Sequence, residues 1–326
     1  MIAFAERRNS SASSLSKSQS RCGPPTDKFV KTKFGTDAAT TYVNSVNEEG
    51  ASALHYAAEV VDQEKSAMVA NREVVKLLLE NGIDVTLATK STHSSAFHVC
   101  ADVGNNDVLC VILDFMTTAD VQKALNKQTT IGWTPLLIAC HRGHKELVQT
   151  LLNNHARVDV FDVEGRSALH LAADRGYLQV CDSLLKHKAY INSKTRVGRT
   201  PLHLAALNGF QNYAAAAGQL KVCTLLLELG ASIDASDDQG QKPIHVASQN
   251  NFPEVVKLFL QRHPSLVMAC TRGGNTCAHI AAMQGSVRVI EELMKFDRTG
   301  VISTRNRITE ATPLQLAAEV VMLRLS

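Results

Sequence analysis

One pattern recurs along this chain at a fixed interval. The strings TPLLIACHRGHKELVQTLL, SALHLAADRGYLQVCDSLL and TPLHLAALNGF begin at Thr134, Ser167 and Thr200, so their starts lie 33 residues apart each time. A fixed period of this length indicates that one small structural unit is repeated and stacked. Such a unit cannot bury its own apolar face, so successive units must pack against one another in a nearly one-dimensional array.

Weaker copies extend the pattern in both directions, which brings the total to about eight. They begin at Ser52, Ser95, Lys242, Thr276 and Thr312. The period, together with the string T-P-L-H-x-A, resembles the ankyrin repeat. The sequence therefore predicts an all-α fold, an ankyrin-repeat solenoid of stacked helix-turn-helix units with short hairpin loops. Aromatic residues make up only 5% of the chain, so Leu, Ala and Val must fill the core.

Each copy carries signals for two helices. A Ser or Thr stands where it can cap the first helix, and Pro often follows at the first helical position, which needs no backbone donor. A glycine then ends the first helix, because glycine adopts the left-handed conformation of a helix C-terminus without a Cβ penalty. The glycines in question are Gly104, Gly143, Gly176, Gly209 and Gly285.

Interruptions of the period set the predicted domain organisation. Residues 1–35 read as a disordered Ser/Arg-rich tail, residues 36–319 as the repeats, and residues 320–326 as a truncated end. Extra residues at 60–71 and 116–126 are predicted to be loop insertions.

A third irregularity, at 210–218, has two interpretations. The string AAAAGQLKV reads as the end of another first helix, a turn at Gly218 and the start of a second helix. Either nine residues are inserted, or two copies are fused with 24 residues missing between them. The recurrence of an A-A-x-x-G string inside the segment favours the deletion.

Charge and cysteine content narrow the function classes. The net charge of +3 arises in residues 1–35, which carry seven Lys/Arg against two acids and leave the remainder at −2. A nearly neutral body argues against a nucleic-acid partner. The eight cysteines include no C-x-x-C pair, which is typical of free thiols in a reducing compartment. No apolar run reaches the roughly 18 residues of a bilayer span, so we predict no membrane insertion and a cytoplasmic location.

The histidines predict structure rather than chemistry. Six of the twelve share one slot of the repeat, namely His55, His98, His170, His203, His245 and His279. Leu137 and Gln315 fill the same slot in the other two copies. Because the slot recurs on successive units, the imidazoles should form a ladder that hydrogen-bonds neighbouring hairpins, not a metal cluster. The repeats leave no segment for a catalytic domain, so we expect no enzyme, no cofactor and no metal.

Candidate protein-binding residues follow the hairpin glycine of each unit, where the residue type varies from copy to copy. They are Trp133, Arg166, Arg199, Gln241 and Asn275, and they are predicted to lie on a concave face. Trp133 is the only tryptophan. Two interpretations of it are equally supported: an exposed anchor for a partner, or packing against the neighbouring hairpin.

Residues 28–319 also resemble the ankyrin array of the TRPN branch of transient receptor potential channels, the no-mechanoreceptor-potential-C type. Strings that carry this resemblance include TTYVNSVNEEGASALHY, NHARVDVFDVEGRSALHLAA and GNTCAHIAAMQGSVRVIEELMKFDRTGVIS. The resemblance implies an interior stretch of a long repeat spring on the cytoplasmic side of the plasma membrane. Its implied partners are microtubules and the rest of a tetrameric channel. Residues 1–27, 210–213 and 320–326 depart from the family pattern, and no pore helices are present, so channel activity is not implied.

Two functions therefore stand as hypotheses. The first is a non-catalytic scaffold that acts as the cytoplasmic spring of a mechanosensitive cation channel. The alternative is a cytosolic ankyrin adaptor that binds a protein ligand through its concave face.

Overall fold

A computed structural model describes residues 40–60, 65–207 and 213–325 of the chain, with side chains placed except at 65–70, 213–215 and 321–325. The predicted tail and Gly209 lie outside the described residues.

The described chain is built from pairs of helices joined by short turns. In chain order the helices are α1 (Ala53–Glu59), α2 (Lys65–Glu80), α3 (Ala96–Val103), α4 (Asn106–Asp114), α5 (Thr118–Leu125), α6 (Pro135–Arg142), α7 (Lys145–Asn153), α8 (Ala168–Arg175), α9 (Leu178–Lys186), α10 (Pro201–Ala205), α11 (Tyr213–Glu228), α12 (Pro243–Gln249), α13 (Pro253–Arg262), α14 (Cys277–Gln284), α15 (Val287–Phe296), α16 (Arg298–Ser303) and α17 (Pro313–Leu325), with a 3-10 helix at Pro264–Met268. Units 1 to 7 are the pairs α1/α2, α3/α4, α6/α7, α8/α9, α10/α11, α12/α13 and α14/α15, and α17 is the first helix of an eighth unit.

The units stack in sequence order. First helices pack on first helices of adjacent units and second helices on second helices, so one continuous core runs along the array. Leucine and alanine fill most of it, as at Leu169 and Ala172, both fully buried. Five cysteines are also fully buried in this core, Cys100, Cys140, Cys181, Cys223 and Cys277. The predicted fold class is confirmed.

A hairpin, here called a finger, precedes each first helix. Fingers 1 to 7 are residues 47–51, 89–94, 129–133, 162–166, 195–199, 237–241 and 271–275, and finger 8 is 306–311, each closed by a backbone hydrogen bond between its end residues. Neighbouring fingers are linked in turn: Arg196 N donates to Glu164 O at 3.0 Å, and Arg272 N donates to Gln239 O at 3.0 Å. Six such backbone bonds join fingers 1 to 7 into a ladder.

Imidazoles form a second set of links between units. In His170, Nδ1 accepts from the backbone N–H of Ser167 at 3.1 Å, so Nε2 carries the proton and donates to Arg199 O at 3.0 Å on the next finger. The same two contacts recur at His55, His98, His203, His245 and His279, with Nε2 at 2.9–3.0 Å from the carbonyl of the next unit. We call each of these an imidazole bridge. The predicted histidine ladder is confirmed.

These bridges require neutral imidazoles, and burial keeps them neutral. Burial lowers the pKa of His98, His170 and His245 from 6.5 to about 4, although hydrogen bonds to backbone carbonyls act in the opposite direction. Burial likewise lowers the pKa of His55, His203 and His279. A proton added to Nδ1 would remove the acceptor that holds the start of the first helix.

The predicted glycine caps are confirmed where they are described. Gly104, Gly143, Gly176 and Gly285 each end a first helix with a φ between 70° and 82°.

Two predicted loop insertions are partly wrong. Residues 118–125 form helix α5. Thr117 caps it, because the Thr117 hydroxyl accepts a hydrogen bond from Asp120 N at 3.3 Å. Val121 and Leu125 of α5 are buried, so apolar packing stabilises it. At 60–71, helix α2 already starts at Lys65.

A turn at Gly218 is also wrong. Helix α11 runs without a break from Tyr213 to Glu228, and the φ of Gly218 is not positive. The helix pairs with α10 as a single unit, and its amino-terminal part lies on the turn at Gly176. A Cβ at Gly218 would lie 3.0 Å from the carbonyl oxygen of Gly176, so this glycine permits a close backbone contact instead of a turn.

Candidate protein-binding surface

The five residues predicted from the sequence all occupy the same finger position, immediately after the finger glycine. Trp133 is only 5% exposed. Its Nε1–H donates to Asp162 Oδ2 at 3.2 Å on the next finger, and its ring meets His141 edge-on at 5.1 Å. Of the two interpretations of Trp133, packing against the neighbouring hairpin is correct and the exposed anchor is wrong.

The two arginines pair with buried carboxylates. Arg166 donates from Nε to Asp162 Oδ2 at 2.8 Å within its own finger, and its guanidinium lies 5.9 Å from the centre of the Trp133 ring. Arg199 Nε lies 3.4 Å from Asp237 Oδ2 on the next finger. Both arginine side chains remain 28% exposed, whereas the Asp162 and Asp237 side chains are 0% and 3% exposed. The charges are therefore largely satisfied within the array.

The remaining two residues are polar and half-buried. Asn275 Oδ1 accepts from Asn306 Nδ2 of the next finger at 2.6 Å. The backbone carbonyl of Gln241 accepts the imidazole bridge from His203. Gln241 Oε1 is buried and has no hydrogen-bond partner among the described residues.

A common arrangement explains three of these contacts. The side chain of Asp162 caps its own finger turn by accepting from Glu164 N and Arg166 N at 2.9 and 2.8 Å. Asp237 and Asn306 cap their turns in the same way. Trp133, Arg199 and Asn275 each contact the capping residue of the following finger, so their visible role is to join fingers.

Three successive fingers each expose an aliphatic residue that the sequence analysis missed. Ile131, Val163 and Val197 stand at the tips of three successive fingers and are 42%, 47% and 56% exposed. The tips are adjacent, because Val163 N donates to Ile131 O at 3.4 Å and the next finger is bonded in turn. A β-branched apolar residue in a tight turn, where polar residues are usual, was the available signal.

Burial makes the cysteines of the core poor candidates for nucleophiles. Burial raises the pKa of Cys100, Cys181 and Cys277 to about 12, which keeps these thiols protonated and poorly nucleophilic. Within the described ranges, no three His, Cys, Asp or Glu side chains are grouped so that they could hold a metal ion.

None of the described helices combines the length and apolar character needed to cross a bilayer.

Comparison with family models decides the classification. Three-copy ankyrin-repeat models match residues 97–195, 191–268 and 212–301, and a single-repeat model matches residues 49–90. These segments cover well over half of the chain. The chain belongs to the ankyrin-repeat family. The ankyrin repeats found here are non-catalytic units, and in this family they imply protein partners.

Two curated relatives share part of the ankyrin array. The chain is 35% identical to oxysterol-binding protein-related protein 1 of Rattus norvegicus over 63 residues. The matched segment covers 18% of this chain and 7% of that protein. Over 99 residues the chain is 33% identical to the E3 ubiquitin-protein ligase KEG of Arabidopsis thaliana, which is 30% of this chain and 6% of that protein. The matches span less than a tenth of either relative, so the activities in their names belong to those proteins.

Proposed function

We propose that this ankyrin array is a non-catalytic scaffold that binds a protein partner through its finger tips. The observation that carries the proposal is the apolar row of Ile131, Val163 and Val197, exposed on three adjacent fingers. The side chains of Arg166 and Arg199 belong to the same fingers and stay 28% exposed. Glu164 and Arg196, next to Val163 and Val197 in the chain, are exposed as well, so charged groups flank the row. This surface combines an apolar centre with a charged rim, as protein interfaces commonly do.

The fingers hold this row in place before any partner binds. Each tip is fixed by the hydrogen bond that closes its finger and by the ladder bonds to its neighbours. Association then orders few additional groups, which reduces the entropic cost of binding. The concave-face adaptor expected from the sequence is a version of this proposal in which Arg166 and Arg199 supply more of the contact.

Replacing Val163 and Val197 by Asp should weaken partner binding at least about tenfold, or roughly 1.4 kcal/mol, because a charge would be buried in an apolar contact. The partner is first captured in cells through a photo-crosslinking amino acid at Val163, and its affinity is then measured with the purified full chain. Val287, which is 64% exposed on helix α15, supplies the control position for both steps. Equal crosslinking at Val163 and Val287, or equal affinity of the double variant and the wild type, would contradict the proposal.

A second candidate is a force-bearing spring in the cytoplasmic part of a mechanosensitive channel, with microtubules and a tetrameric channel as partners. Its support is the resemblance to TRPN arrays together with the serial linkage of the units. Each unit is tied to the next by a ladder bond, an imidazole bridge or both, so tension along the stack would load these links in series.

Single-molecule pulling on the full chain, tethered by its termini, tests this spring. Reversible extension should precede the opening of individual units, and His170→Leu should lower the force of one opening event because it removes one bridge. Irreversible unravelling from the lowest forces upward would argue against a mechanical role while leaving partner binding untouched.

A further inference from the structure

The third unit departs from the histidine ladder. Of the seven junctions between described units, six contain an imidazole bridge, and the junction between units 3 and 4 has Leu137 in that slot. Leucine cannot accept from the N–H of Thr134, and it cannot donate to the carbonyl of Arg166. Among the described residues, that carbonyl accepts only from Asp162 N, at 3.0 Å. The ladder bond at this junction is also the longest, at 3.4 Å between Val163 N and Ile131 O.

The same junction carries contacts that none of the other described junctions has. The only tryptophan of the chain, Trp133, reaches across it and donates to Asp162 Oδ2 at 3.2 Å. Arg166 binds the same carboxylate oxygen and stacks over the indole ring. Since the Asp162 side chain is 0% exposed, its hydrogen bond to Trp133 is charge-assisted and shielded from water.

The fifth unit provides the comparison. There Arg199 occupies the position of Trp133, Asp237 occupies that of Asp162, and the imidazole bridge from His203 is present as well. The contact between Arg199 and Asp237 therefore supplements a bridge. The contact between Trp133 and Asp162 has no bridge beside it. Gln128 Nε2 also donates to Phe161 O at 3.3 Å across this junction, and Arg175 Nη2 lies 3.2 Å from His141 Nε2, but both contacts are exposed, whereas the contact between Trp133 and Asp162 is buried.

We propose that Trp133, Asp162 and Arg166 form a clasp that replaces the missing imidazole bridge and holds unit 3 to unit 4. In unit 3, Leu137 replaces the histidine of the other units, and Trp133 supplies a different contact to the next unit. The clasp makes this joint depend on a carboxylate, whereas the other six joints depend on a neutral imidazole. It does not depend on the finger tips binding a partner.

A double-mutant cycle tests the clasp. Trp133→Phe keeps most of the ring packing and removes the N–H donor, while Leu137→His restores the imidazole at a slot where histidine fits in six other units. Equilibrium unfolding of the full chain in urea is followed by far-UV circular dichroism. We expect Trp133→Phe to raise the equilibrium constant for unfolding about tenfold in the wild type. In the Leu137→His background the same substitution should raise it less than threefold. Equal effects in both backgrounds would show that Trp133 is ordinary packing and would overturn the proposal.

Hydrogen exchange gives a second reading that does not require Leu137→His to fold. In Trp133→Phe, the amides of Val163 and Arg166 should lose protection at least tenfold relative to the wild type. The equivalent amides Asp238 and Gln241, at the junction that keeps its imidazole bridge, should change less than twofold. A similar loss at both junctions, or no loss at either, would overturn the clasp.

Discussion

Lowering the pH from 7 to 4 is expected to unfold the ankyrin array, with the loss of stability concentrated between pH 6.5 and 4. The folded-state pKa of His98, His170 and His245 is about 4, below the ordinary 6.5, so in this range the unfolded chain binds protons that the folded chain does not. Stability therefore falls as the pH decreases, and below about 4 this loss is complete. One pKa unit corresponds to about 1.4 kcal/mol, so each of the three imidazoles accounts for about 3 kcal/mol.

Urea unfolding at a series of pH values measures this effect. His170→Leu serves as the control: it should be less stable at pH 7, because a bridge is lost, yet its stability should depend less steeply on pH, because one titrating group has gone. A chain whose stability is the same at pH 7 and pH 4.5 would contradict the assignment of neutral, buried imidazoles.

Gly240→Ala is expected to destabilise the array by about 3 kcal/mol, well above the effect of Gly230→Ala. Both glycines have a left-handed backbone, with φ of 73° and 90°, which costs an alanine roughly 1–2 kcal/mol. At Gly240 a Cβ would also lie 2.7 Å from Arg272 N and 2.8 Å from Arg272 Cγ. That collision falls on the ladder bond from Arg272 N to Gln239 O.

The pair of glycines separates backbone strain from finger contact. A Cβ at Gly230 meets nothing within 4 Å, so Gly230→Ala reports the conformational cost alone. Thermal unfolding of both variants gives the comparison, and hydrogen exchange at Arg272 reports the ladder bond directly. If the two variants are equally stable, the fingers are not packed as tightly as described.

Much of the fold follows from the sequence because each unit repeats the same local signals. Three of these signals are the cap before Pro201, the glycine after α8 and the histidine slot. Each reflects one structural requirement of the helix pair, and its recurrence in several units shows that it is not accidental. His170 was correctly assigned to a hairpin contact because its slot recurs on successive units, which spreads the imidazoles along the stack.

The exceptions arise where tertiary contacts override local signals. Gly218 carries the same A-A-x-x-G signal as a helix end, but its contact with Gly176 depends on the stacking of two units and is invisible in either string alone. The helix at 118–125 is absent from the 33-residue pattern, although Thr117 and Asp120 are ordinary capping residues. Because α5 has no counterpart in the other units, comparing the units with one another does not reveal it.

The candidate site was predicted less well for a related reason. The position after the finger glycine varies among units, and such variation is typical of positions that bind a partner. In the structure the residue at this position often matches the next finger, as with Trp133 and Asp162 or Arg199 and Asp237. The variation is thus coordinated between neighbouring units, which a single unit cannot reveal.

The fully buried cysteines restrict oxidative damage to helix pairs that have opened. Oxidants attack thiolates that they can reach, and Cys100, Cys140, Cys181, Cys223 and Cys277 lie in five different helix pairs, each shielded while its own pair stays packed. An oxidative lesion at these positions would therefore mark the pair that had opened and spare those that had not. An oxidised cysteine side chain is polar and would not fit the small apolar site of the thiol. The opened helix pair would therefore stay open, and a brief opening would become permanent.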